Sequence, residues 1–292
     1  MGHFELPPAE RVRRRIASSL GARVAGQLPV GFQRLGRVLV VRLPERVRPG
    51  FREIGEAYRA ELGVDAVLRR AGETRGELRV PPVELIAGDE ARTEVVEFGI
   101  RYRLDAERIL FARGNRTERH RAGTLTRPGE IVADLFAGIG YFALPAAKIG
   151  GAGRVWAVEK NPVAFEFLCE NVRRNGVVDR VECLRGDNRE VELPLGTFDR
   201  VFLGYLPTAV PWVPRALALL KPTGGTMHVH LVVGSQGGRL DAEAQAAAAT
   251  ERSGGSVTMM RSRVVKAYGP GRQHVVVDLT ARPAPSGGGV RS

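Results

Sequence analysis

The stretch VADLFAGIGYFALP, residues 132–145, constrains the fold of this sequence more than any other. Its apolar residues up to Leu135 are typical of a buried strand, and the apolar run from Phe142 onward predicts a helix. Gly138 and Gly140 allow a tight turn between the two. A glycine-rich turn from strand to helix brings backbone N–H groups close to a ligand at the carboxyl ends of parallel strands. The stretch therefore predicts a ligand site at the edge of an α/β sheet.

The acidic residue after the next apolar run indicates what the ligand contains. Residues 155–158 predict a second strand, and Glu159 closes it twenty-one positions after Gly138. At that distance a carboxylate is placed to accept hydrogen bonds from ribose hydroxyls. The turn reads AGIG rather than G-x-G-x-x-G, so the third small residue that packs beside a pyrophosphate is missing. This favours S-adenosylmethionine, which has no phosphate, over a dinucleotide. A purely structural turn is the alternative.

From residue 128 onward, predicted strands and helices alternate, which is typical of a doubly wound sheet. The predicted strands are 131–135, 154–158, 180–184, 199–203, 225–233, about 257–265 and 273–279. The predicted helices are 142–149, 162–175, 209–220 and 240–252. Gly269 and Pro270 separate the last two strands and predict an antiparallel hairpin at one edge. The fold class is therefore α/β, with a Rossmann-like doubly wound sheet.

The residues before this sheet predict a smaller α+β domain. A helix over 51–62 and short strands at 37–43, 66–69, 84–86, 94–98 and 100–104 are separated by Gly and Pro. We therefore predict four segments. Residues 1–26 are a basic leader that is helical or partly disordered, and residues 27–105 are a small α+β domain. Residues 106–282 are a Rossmann-like catalytic domain, which begins with a connector up to residue 127. Residues 283–292 are a tail with the composition of a disordered end.

The net charge of the chain indicates which class of partner it binds. The net charge is +12, and residues 1–50 contain ten arginines against three acidic residues. Such a region favours a polyanion. We expect RNA rather than a membrane surface, because no amphipathic anchor accompanies the arginines; a solvated basic face is the alternative. No stretch reaches the roughly 18 uninterrupted apolar residues of a membrane span, and the N-terminus lacks the apolar core of a signal peptide, so we expect a cytoplasmic protein.

No group of residues predicts a metal site. Cys169 and Cys183 are the only cysteines, and without metal-binding spacing they are expected to be reduced. His228 and His230 share one face of a strand, but no third ligand lies near them in sequence. No Ser–His–Asp or Cys–His set stands out for nucleophilic catalysis.

The later strand ends and the connector supply further candidate site residues. Asp187 and Asn188 follow the third strand, where they can hydrogen-bond an adenine edge; a helix cap or turn is the alternative. The fourth strand ends in LGYLP, residues 203–207. Gly204 stands where amino-group methyltransferases often place Asn or Asp, so activation of a nitrogen by Asn is not expected. Arg119 can form a bidentate pair with a ligand carboxylate; a salt-bridged linker is the alternative.

Several segments together resemble a known family. They are VADLFAGIGYFALPAA, VEKNPVAFEFLCENVRRNGV, GDNRE, DRVFLGYLP and RVVKAYGPGRQHVVVDL, with ILFARGNRTERHR upstream. From about Leu28 to Leu279 the chain resembles the wybutosine-synthesis aminocarboxypropyltransferases of archaea and eukaryotes, which act on tRNA-Phe. The sister family, the tRNA guanine-N1 methyltransferases, typically has Asn-Leu-Pro where this chain has Leu-Gly-Tyr-Leu-Pro. It also has an aspartate more often than the glutamate found here at Glu159.

The resemblance implies a class I methyltransferase fold used for an atypical transfer. The 3-amino-3-carboxypropyl group of S-adenosylmethionine would pass to C7 of 4-demethylwyosine in tRNA-Phe, with release of methylthioadenosine. It implies that the small domain, 27–105, binds tRNA, and we expect a monomer without a metal cofactor. The alternatives are a tRNA guanine-N1 methyltransferase that uses S-adenosylmethionine and a basic RNA-binding protein with a vestigial cofactor fold.

Site residues can be carried over by position. The expected catalytic residues are Arg119, Gly204 and Pro207. The expected ligand-binding residues are Ala112, Arg119, Asp134, Phe136, Gly138, Gly140, Glu159, Asp187, Asn188 and Leu203. The family commonly has a serine at the position of Ala112, where only a backbone contact can survive. Tyr205 stands at a variable position that is expected to line the base pocket.

Overall fold

Two clusters of buried apolar side chains organise residues 6–72 and 76–284, the part of the chain that this computed structural model describes. They lie in two units: unit 1 comprises residues 1–96 and 101–111, and unit 2 comprises residues 97–100 and 112–292. The units divide after residue 111, whereas the sequence predicts a domain boundary after residue 105. Residues 1–5 of the predicted leader and 285–292 of the predicted disordered tail lie outside the described residues.

Unit 1 contains a small sheet and three α-helices. The helices are α1 (Pro8–Leu20), α2 (Ala22–Ala25) and α3 (Phe51–Leu62), with a 3-10 helix at Glu45–Gly50. The strands are β1 (Gln33–Leu35), β2 (Val38–Val41), β3 (Ala66–Arg70), β4 (Val83–Ala87), β5 (Arg92–Glu97) and β6 (Ile100–Asp105). The sheet order is β1-β2-β3-β4, while β5 and β6 form a separate hairpin whose tip, 97–100, is grouped with unit 2. The predicted small α+β domain therefore has the expected element types.

The described part of the predicted leader is not separate from unit 1. Val12 and Ile16 of α1 are fully buried in the core that α3 also lines. Their spacing of four residues places them on one face of the helix. Arg11 and Arg15 both pair with Glu61. Part of the basic charge is therefore neutralised within the unit.

Unit 2 contains a seven-stranded sheet. Its strands are β7 (Ile131–Asp134), β8 (Arg154–Glu159), β9 (Val181–Arg185), β10 (Arg200–Leu203), β11 (Gly225–Gly234), β12 (Ser256–Gly269) and β13 (Arg272–Arg282). Its helices are α4 (Arg116–Leu125), α5 (Ala143–Lys148), α6 (Pro162–Arg174), α7 (Val213–Leu219) and α8 (Gly238–Arg252), with 3-10 helices at Arg113–Asn115 and Val210–Trp212. The order is β12-β13-β11-β10-β7-β8-β9. The predicted Rossmann-like fold and the antiparallel edge hairpin are confirmed.

The strand order places the ligand crevice. From β7 the chain moves outward through β8 and β9, then returns to the other side of β7 with β10 and β11. All four pairings among these five strands are parallel. In such sheets ligands bind beyond the carboxyl ends of the strands where the order reverses. Here that place lies between the end of β7, at Asp134, and the end of β10, at Leu203.

The predicted connector contains a helix that the sequence analysis missed. The sequence of α4, RTERHRAGTL, is mostly polar, so no apolar face predicts a helix there. Two of its charged side chains are nevertheless buried: Glu118 is 4% exposed and Arg119 is 2% exposed. Both pair with residues of unit 2 that are distant in sequence, and these tertiary contacts fix the helix.

Candidate functional site

The turn after β7 requires glycine at both predicted positions. Gly138 has a φ of +58°, and a Cβ there would lie 2.6 Å from Cε2 of Tyr141. Gly140 has a φ of +102°, and its Cβ would lie 2.6 Å from Cγ of Leu144. Both backbone conformations are ones that glycine adopts without steric cost. The expected tight turn is therefore present, with the start of α5 packed directly behind it.

Glu159 lies against this turn, as its spacing in the sequence predicts. One carboxylate oxygen accepts a hydrogen bond from the Gly138 backbone N–H at 2.7 Å. The other accepts from the Asn161 N–H, also at 2.7 Å. Burial raises the pKa of Glu159, although these backbone donors oppose the rise. An acidic group is thus fixed at the glycine turn, where its remaining lone pairs can accept from a ligand.

Asp134 supports the turn from inside the protein. Its side chain is fully buried, and its oxygens accept from the Phe136 N–H at 3.3 Å and the Ala143 N–H at 3.1 Å. Burial raises the pKa of Asp134 to about 7. In this structure both carboxylate oxygens face backbone N–H groups, and the expected ligand contact stays a prediction. The carboxylate joins the end of β7 to the start of α5 and so shapes the turn.

Asp187 and Asn188 follow β9 and differ in their surroundings. Asp187 accepts from the Arg189 N–H at 3.0 Å and from the Lys160 ammonium at 2.9 Å. The hydrogen bond from the Arg189 side chain is the largest of several effects that hold the pKa of Asp187 well below its usual range. Asn188 is 6% exposed and donates to the Leu135 carbonyl at 2.9 Å. Asp187 thus stabilises a turn, which is the alternative role considered for it.

The Asn188 side chain leaves one buried acceptor without a partner. Its amide nitrogen is bonded to Leu135, whereas Oδ1 is buried and has no hydrogen-bond partner. A buried polar atom of this kind costs about 1–3 kcal/mol unless a donor reaches it. A ligand amino group is such a donor. The adenine contact expected for Asn188 stays a prediction, with this atom as its acceptor.

The end of β10 is closely packed. The Leu203 side chain is fully buried in the core, so only its backbone can meet a ligand. Pro207, one of the expected catalytic residues, is exposed. Phe136 lies between two other rings, with ring centroids 5.2 Å from Tyr205 and 5.1 Å from Trp212. The expected ligand residue Phe136 therefore belongs to an aromatic group with Tyr205, the residue expected to line the base pocket.

Packing explains the glycine at position 204. A Cβ on Gly204 would lie 2.6 Å from Cε2 and 3.3 Å from Cδ2 of the Phe142 ring. That ring stacks on Phe202, with centroids 5.3 Å apart, and lies 5.2 Å from His230. It is 6% exposed, so it has little room to move away. An asparagine side chain has no space here in this packing.

We expect Gly204→Ala to destabilise the protein by about 1–3 kcal/mol, because the added methyl group must displace a stacked ring. Urea denaturation followed by tryptophan fluorescence measures the change. Gly269→Ala is the matched control, since a Cβ at Gly269 meets nothing within 4 Å. Equal stability of the two variants would show that Phe142 does not determine the residue at position 204.

Arg119 pairs with a protein carboxylate rather than with the open side of the site. Its Nε and Nη2 donate to the two oxygens of Glu97 at 2.8 and 2.9 Å. Its Nη1 donates to the carbonyl of Ala112 at 3.1 Å. Glu97 thus supplies the counter-charge that a buried guanidinium needs, which is the salt-bridged alternative, and the pair with a ligand carboxylate stays a prediction. Nothing in the sequence around Glu97 indicates this partner.

A chain of charged side chains on one face of the sheet was also missed. His228 on β11 contacts Arg200 through Nε2 at 2.7 Å and Asp278 on β13 through Nδ1 at 2.6 Å. Asp278 also accepts from Arg121, and Arg121 donates to Glu118 at 2.8 Å. Arg200 in turn binds Glu130 at 2.8 Å. The residues of this ionic chain, in order, are Glu130, Arg200, His228, Asp278, Arg121 and Glu118.

The ionic chain fixes the tautomer of its histidine. An arginine only donates hydrogen bonds, so Nε2 of His228 accepts from Arg200 and Nδ1–H donates to Asp278. Burial lowers the pKa of His228, and the neighbouring carboxylate only partly opposes this. The imidazole is therefore neutral and acts as a link between two charged groups.

Neither a metal group nor a membrane span is found where the structure is described. His230 and His274 contact each other at 2.9 Å, but among residues 6–72 and 76–284 no group of three or more His, Cys, Asp or Glu is arranged to bind a metal ion. Burial lowers the pKa of His230 to about 3. None of the helices in these ranges is long and apolar enough to cross a membrane.

Comparison with known proteins covers both units. The model of the TRM5/TYW2 methyltransferase domain matches residues 93–240, and that of the TYW2 N-terminal domain matches residues 12–91. The tRNA(Phe) (4-demethylwyosine(37)-C(7)) aminocarboxypropyltransferase of Pyrococcus horikoshii is 36% identical to the chain over 269 residues. The match covers 92% of this chain and 95% of that protein.

Two solved structures are similar along most of their length. The structure of Pyrococcus horikoshii TYW2 in complex with MeSAdo has a TM-score of 0.85 and 33% identity, and the match covers 94% of this chain and 100% of that chain. The structure of Methanocaldococcus jannaschii TYW2 in complex with AdoMet has a TM-score of 0.70 and 29% identity, with coverage of 87% and 100%. The likeness therefore extends over both units.

Proposed function

The chain belongs to the TRM5/TYW2 family, in the branch with the TYW2 N-terminal domain, and from this we propose that it is a tRNA-modifying transferase. It transfers the 3-amino-3-carboxypropyl group of S-adenosylmethionine to C7 of 4-demethylwyosine in tRNA-Phe. The observation that carries the proposal is the 36% identity to the Pyrococcus horikoshii enzyme over 92% of the chain. A likeness confined to unit 2 would support only an S-adenosylmethionine-dependent enzyme.

We propose that the carboxyl ends of β7, β8 and β9 bind the co-substrate. Glu159 accepts from the ribose hydroxyls, and Oδ1 of Asn188 accepts from the adenine amino group. The position of Glu159 on the Gly138 N–H supports the first contact, and the unpartnered buried Oδ1 supports the second. Asp187 shapes the adjoining turn, and the backbone of Leu203 forms the floor beside Phe136.

The remaining site residues are proposed to position the methionine end of the ligand and the base. Arg119, bound to Glu97, holds the carbonyl of Ala112 and so shapes this wall without pairing with the ligand. Gly204 and Pro207 form the chain segment beside the reacting atoms. Tyr205, next to Phe136, lines the pocket for the base.

The proposed reaction joins a ring carbon to an alkyl carbon. S-adenosylmethionine supplies a sulfonium that makes its methionine Cγ electrophilic. C7 of the base bonds to Cγ, the Cγ–S electron pair leaves with sulfur as methylthioadenosine, and the C7 proton passes to solvent. An electron-rich ring carbon needs no side chain to activate it, so orientation supplies most of the rate. The absence of a side-chain acceptor at Gly204 suits this chemistry.

A tRNA guanine-N1 methyltransferase is the less favoured assignment. The acceptor in that reaction is a ring nitrogen, and an Asn at position 204 that could activate it has no space beside Phe142. The TYW2 N-terminal domain at residues 12–91 also favours the aminocarboxypropyl transfer. We further propose that the chain acts as a monomer, in the cytoplasm, on the anticodon region of its tRNA.

The small-molecule by-product distinguishes the two reactions. We expect methylthioadenosine when the protein is incubated with S-adenosylmethionine and tRNA-Phe bearing 4-demethylwyosine, because the Cγ–S bond is the one that breaks. Mass spectrometry identifies the by-product, with unmodified tRNA-Phe as the control acceptor. S-adenosylhomocysteine would make the protein a methyltransferase and contradict the proposal.

A further inference from the structure

The edge strand β12 has three cationic side chains on one face. Arg261, Arg263 and Lys266 lie opposite Asp278, Val276 and His274 of β13. In a regular strand, Arg263 and Lys266 would face opposite sides, since they are three residues apart. A β-bulge between Val264 and Lys266 adds the residue that returns Lys266 to the face of the other two. The bulge thus keeps three cations together.

The residues that lead into α4 extend this group of cations. The 3-10 helix lies beside β12, where a Cβ on Gly114 would come within 2.8 Å of the Lys266 side chain. Arg263 contacts Glu118 of α4 at 3.3 Å. We call Arg113, Arg116, Arg261, Arg263 and Lys266 the basic face. Arg113, Arg116 and Arg261 are exposed. All five residues belong to unit 2.

Much of the charge on the basic face is not neutralised by the protein. Arg263 has a carboxylate partner, but neither Arg113 nor Arg261 has an ion pair or side-chain hydrogen bond to any residue in the described ranges. Exposed arginines elsewhere are often paired, as Arg154 is with Glu182. Cations on an edge strand also prevent strand pairing between molecules. That role does not account for Arg113 and Arg116, which lie outside the strand.

An aromatic side chain beside the basic face favours a nucleic acid over a lipid surface. Phe98, at the hairpin tip grouped with unit 2, is 41% exposed although its φ is +51°. The Arg116 guanidinium lies over its ring, 4.4 Å from the centroid, and the His120 ring centroid is 4.0 Å away. Aromatic rings interleaved with arginines are typical of surfaces that bind RNA.

We propose that the basic face binds the phosphate backbone of the tRNA that presents the target base. The inference rests on the proposed function and adds the surface of unit 2 that contacts the acceptor. Each phosphate bound by an Arg or Lys releases a counterion. Every lost contact therefore reduces the slope of log Kd against log salt by about 0.7–0.9. The basic face therefore contributes a measurable share of the salt dependence.

The test compares two double variants by their affinity for transcribed tRNA-Phe across a salt series. Arg113→Ser with Arg261→Ser should reduce the slope of log Kd against log salt by about 1.5 and weaken binding about tenfold at 0.1 M salt. Arg154→Ser with Arg174→Ser removes the same charge from unit 2, but each of these arginines has its own carboxylate partner. The control should keep a slope close to the wild-type value.

The outcomes separate this inference from the proposed function. An unchanged slope in the first variant, with steep salt dependence in the wild type, would overturn the basic face and leave the tRNA substrate intact. An equal reduction of the slope in both double variants would mean that only the net charge matters, and this result would also overturn the basic face. Loss of binding to phosphatidylserine vesicles without any change toward tRNA would assign the face to membranes. No tRNA binding by the wild type would contradict the substrate itself.

Discussion

Glu159→Ala is expected to weaken S-adenosylmethionine binding about 10- to 100-fold while tRNA binding stays within about twofold of the wild type. A hydrogen bond to a charged group contributes about 1.5–3 kcal/mol, which corresponds to that range of affinity. The carboxylate is half-buried at the glycine turn and accepts from two backbone N–H groups, so water replaces it poorly. Isothermal titration calorimetry with S-adenosylmethionine and filter binding of tRNA-Phe measure the two affinities separately.

Two further variants serve as a control and as a test of the turn contacts of Glu159. Glu166→Ala removes an exposed carboxylate from α6 and should change neither affinity. Glu159→Gln keeps the size of the side chain but cannot accept from both Gly138 and Asn161, because an amide has one acceptor oxygen. It should therefore bind the ligand weakly as well. Equal losses of ligand and tRNA affinity in Glu159→Ala would contradict its assignment to the ribose.

The sequence was sufficient to predict the sheet of unit 2 and its glycine turn. Apolar runs bounded by Gly, Asp and Pro predict the strands, and all seven lie within a few residues of their predicted bounds. The spacing of Gly138 and Glu159 predicts that both lie at the ligand site, and in the structure the Gly138 N–H donates to Glu159. These features depend on residues that are close together in the sequence, so a single sequence is enough to predict them.

What the sequence could not predict depends on contacts between distant residues. Arg119 and Glu97 are 22 positions apart, and neither has a neighbour that indicates the other. Arg121 and Asp278 are 157 positions apart. A polar helix such as α4 follows from these pairs rather than from its own composition. Asp134 shows the same limit, since a strand-end carboxylate can meet a ligand or, as here, the backbone of the turn.

The ionic chain explains how α4 is held against the sheet. The buried apolar residues of α4, Ala122 and Gly123, are small and gain little from the hydrophobic effect. The helix therefore also depends on Glu118, Arg119 and Arg121 for its attachment. Burial alone would raise the pKa of Asp278, but the hydrogen bonds from His228 and Arg121 outweigh it and hold the pKa below its usual range. Asp278 thus contacts both the sheet histidine and the helix arginine.

Asp278→Ala is therefore expected to destabilise the protein by about 3 kcal/mol. Removing one partner of a buried ion pair leaves the other charge uncompensated, which typically costs about 3–5 kcal/mol. The low end applies because the Asp278 and Arg121 side chains are 16% and 20% exposed. Urea denaturation followed by circular dichroism measures the loss. Asp179→Ala is the control, because Asp179 is 72% exposed and its pair with Arg180 should contribute less than about 1 kcal/mol.

A double-mutant cycle separates the lost pair from the lost volume. Asp278→Leu leaves Arg121 and His228 facing an apolar side chain, whereas Asp278→Leu with Arg121→Leu removes both charges of the pair. Arg121→Leu alone completes the cycle, so that additivity can be measured. Since replacing both charges of a buried pair is often close to neutral, the double variant should be more stable than Asp278→Leu alone. If the two substitutions simply add, Asp278 stabilises α4 through packing and the charge of the ionic chain is not what attaches the helix.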